Sequence, residues 1–131
     1  MPRSADFLGA VAIGVTELER SERFYTQALG MQTIRRVTLP HLDELILTHE
    51  GRTAVVLVKH TDGLERSVTD LPIRLVFYVT DPAAVAARVK GAGGVVTAEP
   101  VLHPEFDNAT IGFAKDPDGY VIELIQRPAR A

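Results

Sequence analysis

Apolar residues run almost unbroken over residues 7–15, with no helical period and with Gly9 and Gly14 inside, which predicts a strand buried on both faces. The period then changes. Leu18, Phe24, Tyr25, Ala28 and Leu29 form a helical stripe, with Thr16 as the expected N-cap, Glu17 and Glu19 near the positive end and Gly30 at the C′ position. Strand-like stretches follow at residues 31–38, 44–49 and 53–60, the last two joined by a tight turn at Glu50-Gly51-Arg52. The first half therefore reads βαβββ.

Residues 61–72 are polar and turn-rich and read as a linker, after which the pattern begins again. Residues 73–80 read as a strand, Asp81-Pro82 as N-cap and N1 of a helix that buries Val85, Ala86 and Val89, and Gly93-Gly94 as its stop. Strands at residues 95–98, 110–115 and 120–126 complete a second βαβββ, with the last turn at Asp116-Pro117-Asp118-Gly119. Val15-Thr16-Glu17 is echoed by Val79-Thr80-Asp81 at an offset of 64, and residues 54–58 by residues 120–124 at an offset of 66. The expected fold is α+β: one domain of two tandem modules, about residues 6–60 and 73–127, whose curved mixed sheets leave a pocket between them.

Composition narrows the chemistry. The 131 residues are 46% hydrophobic and 24% charged, ordinary for one globular domain. No apolar run approaches the roughly 20 residues that cross a bilayer, and the start lacks a signal peptide's apolar stretch, so a cytoplasmic protein without a membrane partner is expected. With no cysteine, disulfides, thiolate metal sites and a cysteine nucleophile are excluded. A formal charge of −3 with interspersed signs offers no basic face for nucleic acid.

The segment Val15-x-x-Leu18-x-x-Ser21-x-x-Phe24-Tyr25-x-x-x-Leu29-Gly30-Met31 and the closing Asp116-Pro117-Asp118-Gly119-Tyr120-Val121-Ile122-Glu123-Leu124 resemble signatures of the vicinal oxygen chelate superfamily of glyoxalase I, bleomycin resistance proteins and extradiol dioxygenases. The resemblance spans nearly the whole chain and implies the fold, while the fold alone names no reaction. In metal-dependent members the ligands, His and Glu, come from the first and last strands of each module. The resemblance places those positions at Ala10, Leu57, Arg74 and Glu123, and only Glu123 is a ligand. The neighbours Gly9, Val11, Ile73 and Leu75 are equally inert. No metal and no other cofactor is therefore expected.

Strand alternation gives the expected pocket-facing set: Ala10, Ala12 and Gly14, then Leu57 and Lys59, then Arg74, Val76 and Tyr78, then Val121, Glu123 and Ile125. Three small residues on one strand leave room for a ligand. Arg74 and Glu123 are expected to stand together as a charge-compensated pair, with Arg74 a cationic fork for an anionic or carbonyl-bearing ligand. Glu123 is either a general base or the structural partner of Arg74, and Tyr78 either stacks on a planar ligand or packs in the core. His41, His49, His60 and His103 match no zinc spacing and read as surface or rim residues, while an atypical metal site among them stays open. Residues 103–108 form a loop long enough for a lid, Phe24 and Tyr25 read as packing, and Asp116 to Gly119 as the turn that positions Glu123.

Three functions follow. The main expectation is metal-independent binding of a small hydrophobic or anionic molecule, similar to bleomycin resistance proteins. The alternatives are a glyoxalase I-like lyase or extradiol-type dioxygenase, and metal-free proton transfer with Glu123 as base. A two-fold homodimer is expected from the resemblance, with modules pairing within or between chains.

Overall fold

The computed structural model describes residues 8–63 and 69–126. The expected strand start at Phe7, residues 64–68 of the expected linker and the expected module limits at residues 6 and 127 lie outside the described residues. The order is β1 (Ala10–Gly14), α1 (Leu18–Gln27), β2 (Gln32–Leu39), β3 (Leu42–Thr48), β4 (Ala54–His60), β5 (Arg74–Tyr78), α2 (Pro82–Gly91), β6 (Val95–His103), β7 (Ala109–Lys115) and β8 (Val121–Gln126). This α+β chain forms two four-stranded sheets, β1-β4-β3-β2 and β5-β8-β7-β6. In each, the first and last strands run parallel and the remaining pairs antiparallel.

Local chemistry explains most element ends. Asp81 caps α2 by accepting the Ala84 N–H at 3.1 Å, and Pro82 occupies the first turn, where its missing donor costs nothing. Gly30 follows α1 at φ +71°, a left-handed conformation that a side chain would strain. Helix α1 departs from expectation at its other end. Its N-cap is Glu17, without a side-chain cap, and Thr16 bonds elsewhere.

Two further expectations need correction. β1 is open on one face, since Ala10 and Ala12 are exposed while Ile13 is buried, because it is an edge strand covered by helix on one side only. β6 runs on to His103, well past residue 98, because register shifts between Val96 and Val101 carry Pro100 through the ladder. The loop expected over residues 103–108 thus shrinks to a 3-10 turn, Pro104–Phe106, and the two left-handed residues Asp107 and Asn108.

The helix-covered faces of both sheets share one core, with Phe24, Leu45 and Leu57 from the first unit and Val89, Ile122 and Leu124 from the second. The join is sealed by hydrogen bonds between the two sequence signatures. Asp118 Oδ1 accepts from Thr16 N–H at 3.0 Å and Thr16 Oγ1 at 2.9 Å, and its Oδ2 accepts from Ser21 Oγ at 3.2 Å. That carboxylate therefore lies beside the positive end of α1, where the helix dipole favours it. Tyr25 donates to Asp116 Oδ2 at 2.7 Å, and Tyr120 donates to the Gly14 carbonyl at 2.8 Å. Asp116 Oδ1 meanwhile accepts the N–H groups of Asp118, Gly119 and Tyr120, each at 2.9 Å, which holds the turn closed.

Candidate functional site

With the helices filling the shared core, the other face of each sheet is open. On the second sheet, register sets three rows across that face: Arg74, Val121 and Lys115, then Val76, Glu123 and Phe113, then Tyr78, Ile125 and Ile111. Partners opposite one another on neighbouring strands point to the same side, so these residues share one surface. Arg74 Nε lies 2.8 Å from Glu123 Oε1 as an ion pair, with side-chain exposures of 62% and 11%. Solvent around the arginine screens this pair, which adds no more than about 1 kcal/mol to stability, so its consequence is placement. Val76 and Tyr78 are 43% and 66% exposed beside it. The alternation-derived residues Arg74, Val76, Tyr78, Val121, Glu123 and Ile125 are thus brought together. Phe113 and Lys115 belong with them and were not anticipated, although alternation along β7 carries the signal.

The first sheet corrects part of the expected set. Leu57 is fully buried and pairs with Ile13 in the core, and Lys59 points to the same side as Leu57. The open face of β4 is instead formed by Val56 and Val58, opposite Ala12 and Gly14. Val56 therefore stands in the first sheet where Glu123 stands in the second, since Ala12 pairs with Val56 as Val76 pairs with Glu123. Ala10, Ala12 and Gly14 do share one face, with both alanines exposed.

Two recesses are seen among the described residues, one at the rim of the second face and one on the helix side. One of about 640 Å³ sits at the ends of β5 and β8 and includes Tyr78 and Ile125. The larger, about 820 Å³, opens on the helix side between the units and is lined in part by His49, Arg52, Phe77, Asp81 and Arg88. There His49 Nε2 donates to the Leu29 carbonyl at 2.7 Å and Arg88 Nε to the Ala28 carbonyl at 3.1 Å, so both side chains cap the end of α1 across or beside the join. His103 lies 3.1 Å from Glu105, His60 ends β4, and His41 sits in the β2–β3 turn.

A family model for the glyoxalase/bleomycin resistance protein/dioxygenase superfamily matches residues 7–124. The chain belongs to this superfamily. Among its relatives in the superfamily, a probable lactoylglutathione lyase of Vibrio cholerae is 36% identical over 121 residues, covering 86% of this chain and 84% of the relative. Glyoxalase I from Zea mays superposes with a TM-score of 0.75 at 26% identity, over 93% of this chain but only 45% of the maize chain. A superfamily domain from Frankia sp. EAN1pec superposes with a TM-score of 0.79 at 22% identity, covering 98% and 96% of the two chains, and supports the fold alone.

The metal that the superfamily resemblance implies does not fit the residues present. Ala10, Leu57 and Arg74 carry no donor for a divalent cation, and the register correction from Leu57 to Val56 supplies none. The remaining acid, Glu123, is already engaged by a guanidinium. No group of three His, Cys, Asp or Glu side chains among the described residues is placed to hold an ion.

Proposed function

We propose that this chain is a glyoxalase-like protein that moves a proton on a small carbonyl compound at the open face of β5 and β8, using Glu123 and Arg74 in place of a metal. The observation that carries the reading is the Arg74–Glu123 pair at 2.8 Å, a nearly buried acid beside an exposed cation on one sheet face. Arg74 meets Glu123 at Oε1, and we assign Oε2 to the substrate. Oε2 is then the atom to take a proton from carbon beside a carbonyl. The electron pair left on carbon moves onto the carbonyl oxygen, and the nearby guanidinium stabilises that oxyanion. When the carbon that lost its proton bears a hydroxyl, that hydroxyl passes its proton to the oxyanion and becomes the new carbonyl, and return of the proton from Glu123 to the former carbonyl carbon completes an isomerisation of a 2-hydroxy carbonyl compound with all atoms retained. The relatives named as lactoylglutathione lyases support this class of reaction.

We propose further that a second copy covers the open faces, with the small-residue face of one copy over the Arg74–Glu123 face of the other. This arrangement would close a pocket over the ligand. The same small residues support a second reading, capture of a ligand without turnover, because Ala10, Ala12 and Gly14 leave room beside the pair. An extradiol-type dioxygenase has less support, since the donor set does not fit the metal that such chemistry uses to bind oxygen.

The test is proton exchange. In D2O the wild-type protein should replace the lactoyl methine proton of lactoylglutathione with deuterium, followed by NMR, and Glu123→Gln should lose roughly 100-fold or more of that rate. Treatment with a chelator should leave the rate unchanged. No exchange with the wild type, or equal exchange with Glu123→Gln, contradicts the reaction.

A further inference from the structure

The open face beside Glu123 is graded from charge to apolar surface, and this gradation defines a ligand. Arg74 meets Glu123 through Nε, no other partner residue is found for it among the described residues, and its side chain is 62% exposed, so the guanidinium is reachable by a ligand. Lys115 lies in the same row, two strands away across Val121 and roughly 10 Å from Arg74 at ordinary strand spacing. The next two rows contain no further cation. They present Val76 and Phe113 on either side of Glu123, then Tyr78, Ile125 and Ile111.

We infer that the ligand is a 2-oxo carboxylate bearing a flat apolar tail, an inference that rests on the proton-transfer reading of the same site. A 2-oxo acid presents a carboxylate oxygen and the neighbouring carbonyl oxygen side by side, a spacing that the planar fork of Arg74 takes as a pair. Lys115 adds positive charge from the far side of the row. With its head on Arg74, the ligand's tail crosses Val76 and Phe113 toward Tyr78, where aromatic surface suits a ring. That pose sets the carbon next to the carbonyl over Glu123. Removal of its proton then gives an enolate whose oxygen is already on the guanidinium, and reprotonation on oxygen yields the enol with all atoms retained.

The experiment compares phenylpyruvate, phenylacetone, which lacks the carboxylate, and pyruvate, which lacks the ring. Affinities are measured by calorimetry on wild-type protein, Arg74→Gln and Arg74→Lys, with backbone amide shifts as a map. Phenylpyruvate should bind at least 10-fold more tightly than either analogue, and Arg74→Gln should remove roughly 10- to 100-fold of that affinity while leaving phenylacetone unchanged. Arg74→Lys, which keeps charge but loses the fork, should fall between and serves if the glutamine variant does not fold. Shifts should map to β5, β7 and β8. Equal affinities for phenylpyruvate and phenylacetone, an Arg74→Gln variant that binds phenylpyruvate like the wild type, or shifts confined to the recess around His49 would each overturn the ligand class. The exchange experiment on Glu123 is unaffected by those outcomes. Conversely, Arg74-dependent binding of phenylpyruvate without exchange upholds the ligand class and removes the proposed reaction.

Discussion

Asp116 is a carboxyl group used as scaffold. One oxygen gathers three backbone N–H groups of its own turn and the other receives the Tyr25 hydroxyl. Burial pushes its pKa up from 3.8, against the opposing pull of those hydrogen bonds. Burial, together with the facing Asp116 charge, also raises Tyr25 well above 10.0, so the phenol keeps its proton. The folded chain therefore holds the Asp116 proton more tightly than the unfolded chain does. This group's contribution to stability is full below pH 3.8 and is lost as pH rises through its elevated folded value. Asp116→Asn keeps an oxygen for the three N–H groups but cannot titrate. Measured by urea unfolding from about pH 4 to pH 7, the stability of wild type relative to Asp116→Asn should fall with rising pH and then level off. A difference that grows with pH contradicts the assignment.

Among the elements, the approach of α2 to α1 depends on the glycine that follows α2. A Cβ at Gly94 would lie 2.6 Å from Phe24 Cε1, 2.7 Å from Val89 Cγ1 and 2.8 Å from the Lys115 carbonyl oxygen. Backbone and core side chains block it on three sides, so Gly94→Ala should cost about 1–3 kcal/mol in chemical unfolding. A cost near zero would mean that the join between units is loose. Element order was readable from the sequence because period, caps and glycines agree with one another, most plainly at Asp81-Pro82 and Gly30. Facing on β4 was not. β1 and β5 begin 64 positions apart, at Ala10 and Arg74, but β4 and β8 begin 67 apart, at Ala54 and Val121. The β2–β3 connection has only Pro40 and His41, while the β6–β7 connection spans residues 104–108. A repeat offset of 66 read from residue identities misses that difference by one position. In a strand, a single position exchanges the faces, which moved Leu57 from the core to the pocket and hid Val56. The bonds of Thr16 and Tyr25 to the Asp116–Asp118 turn were illegible for another reason: their partners lie 91 to 102 positions away.

At the scale of the molecule, two sheet faces stand open while the helix-covered faces share one core. Val76, Tyr78 and Val101 are 43%, 66% and 54% exposed, an unusual cluster of apolar surface for a chain that works alone. Light scattering at micromolar concentration should give twice the chain mass of 14.3 kDa. A monomer would contradict the covered pocket. No helix among the described residues is long and apolar enough to cross a membrane. The join between units has a wider consequence. Both stretches that mark the superfamily in this sequence meet there, Asp118 against Thr16 and Ser21, Asp116 against Tyr25. They are carpentry, and they would be kept by any descendant that still needs its halves fastened, whatever happens to the reacting groups. Chains bearing both marks can therefore differ at every atom that meets a substrate, and their chemistry has to be read strand by strand from what faces outward.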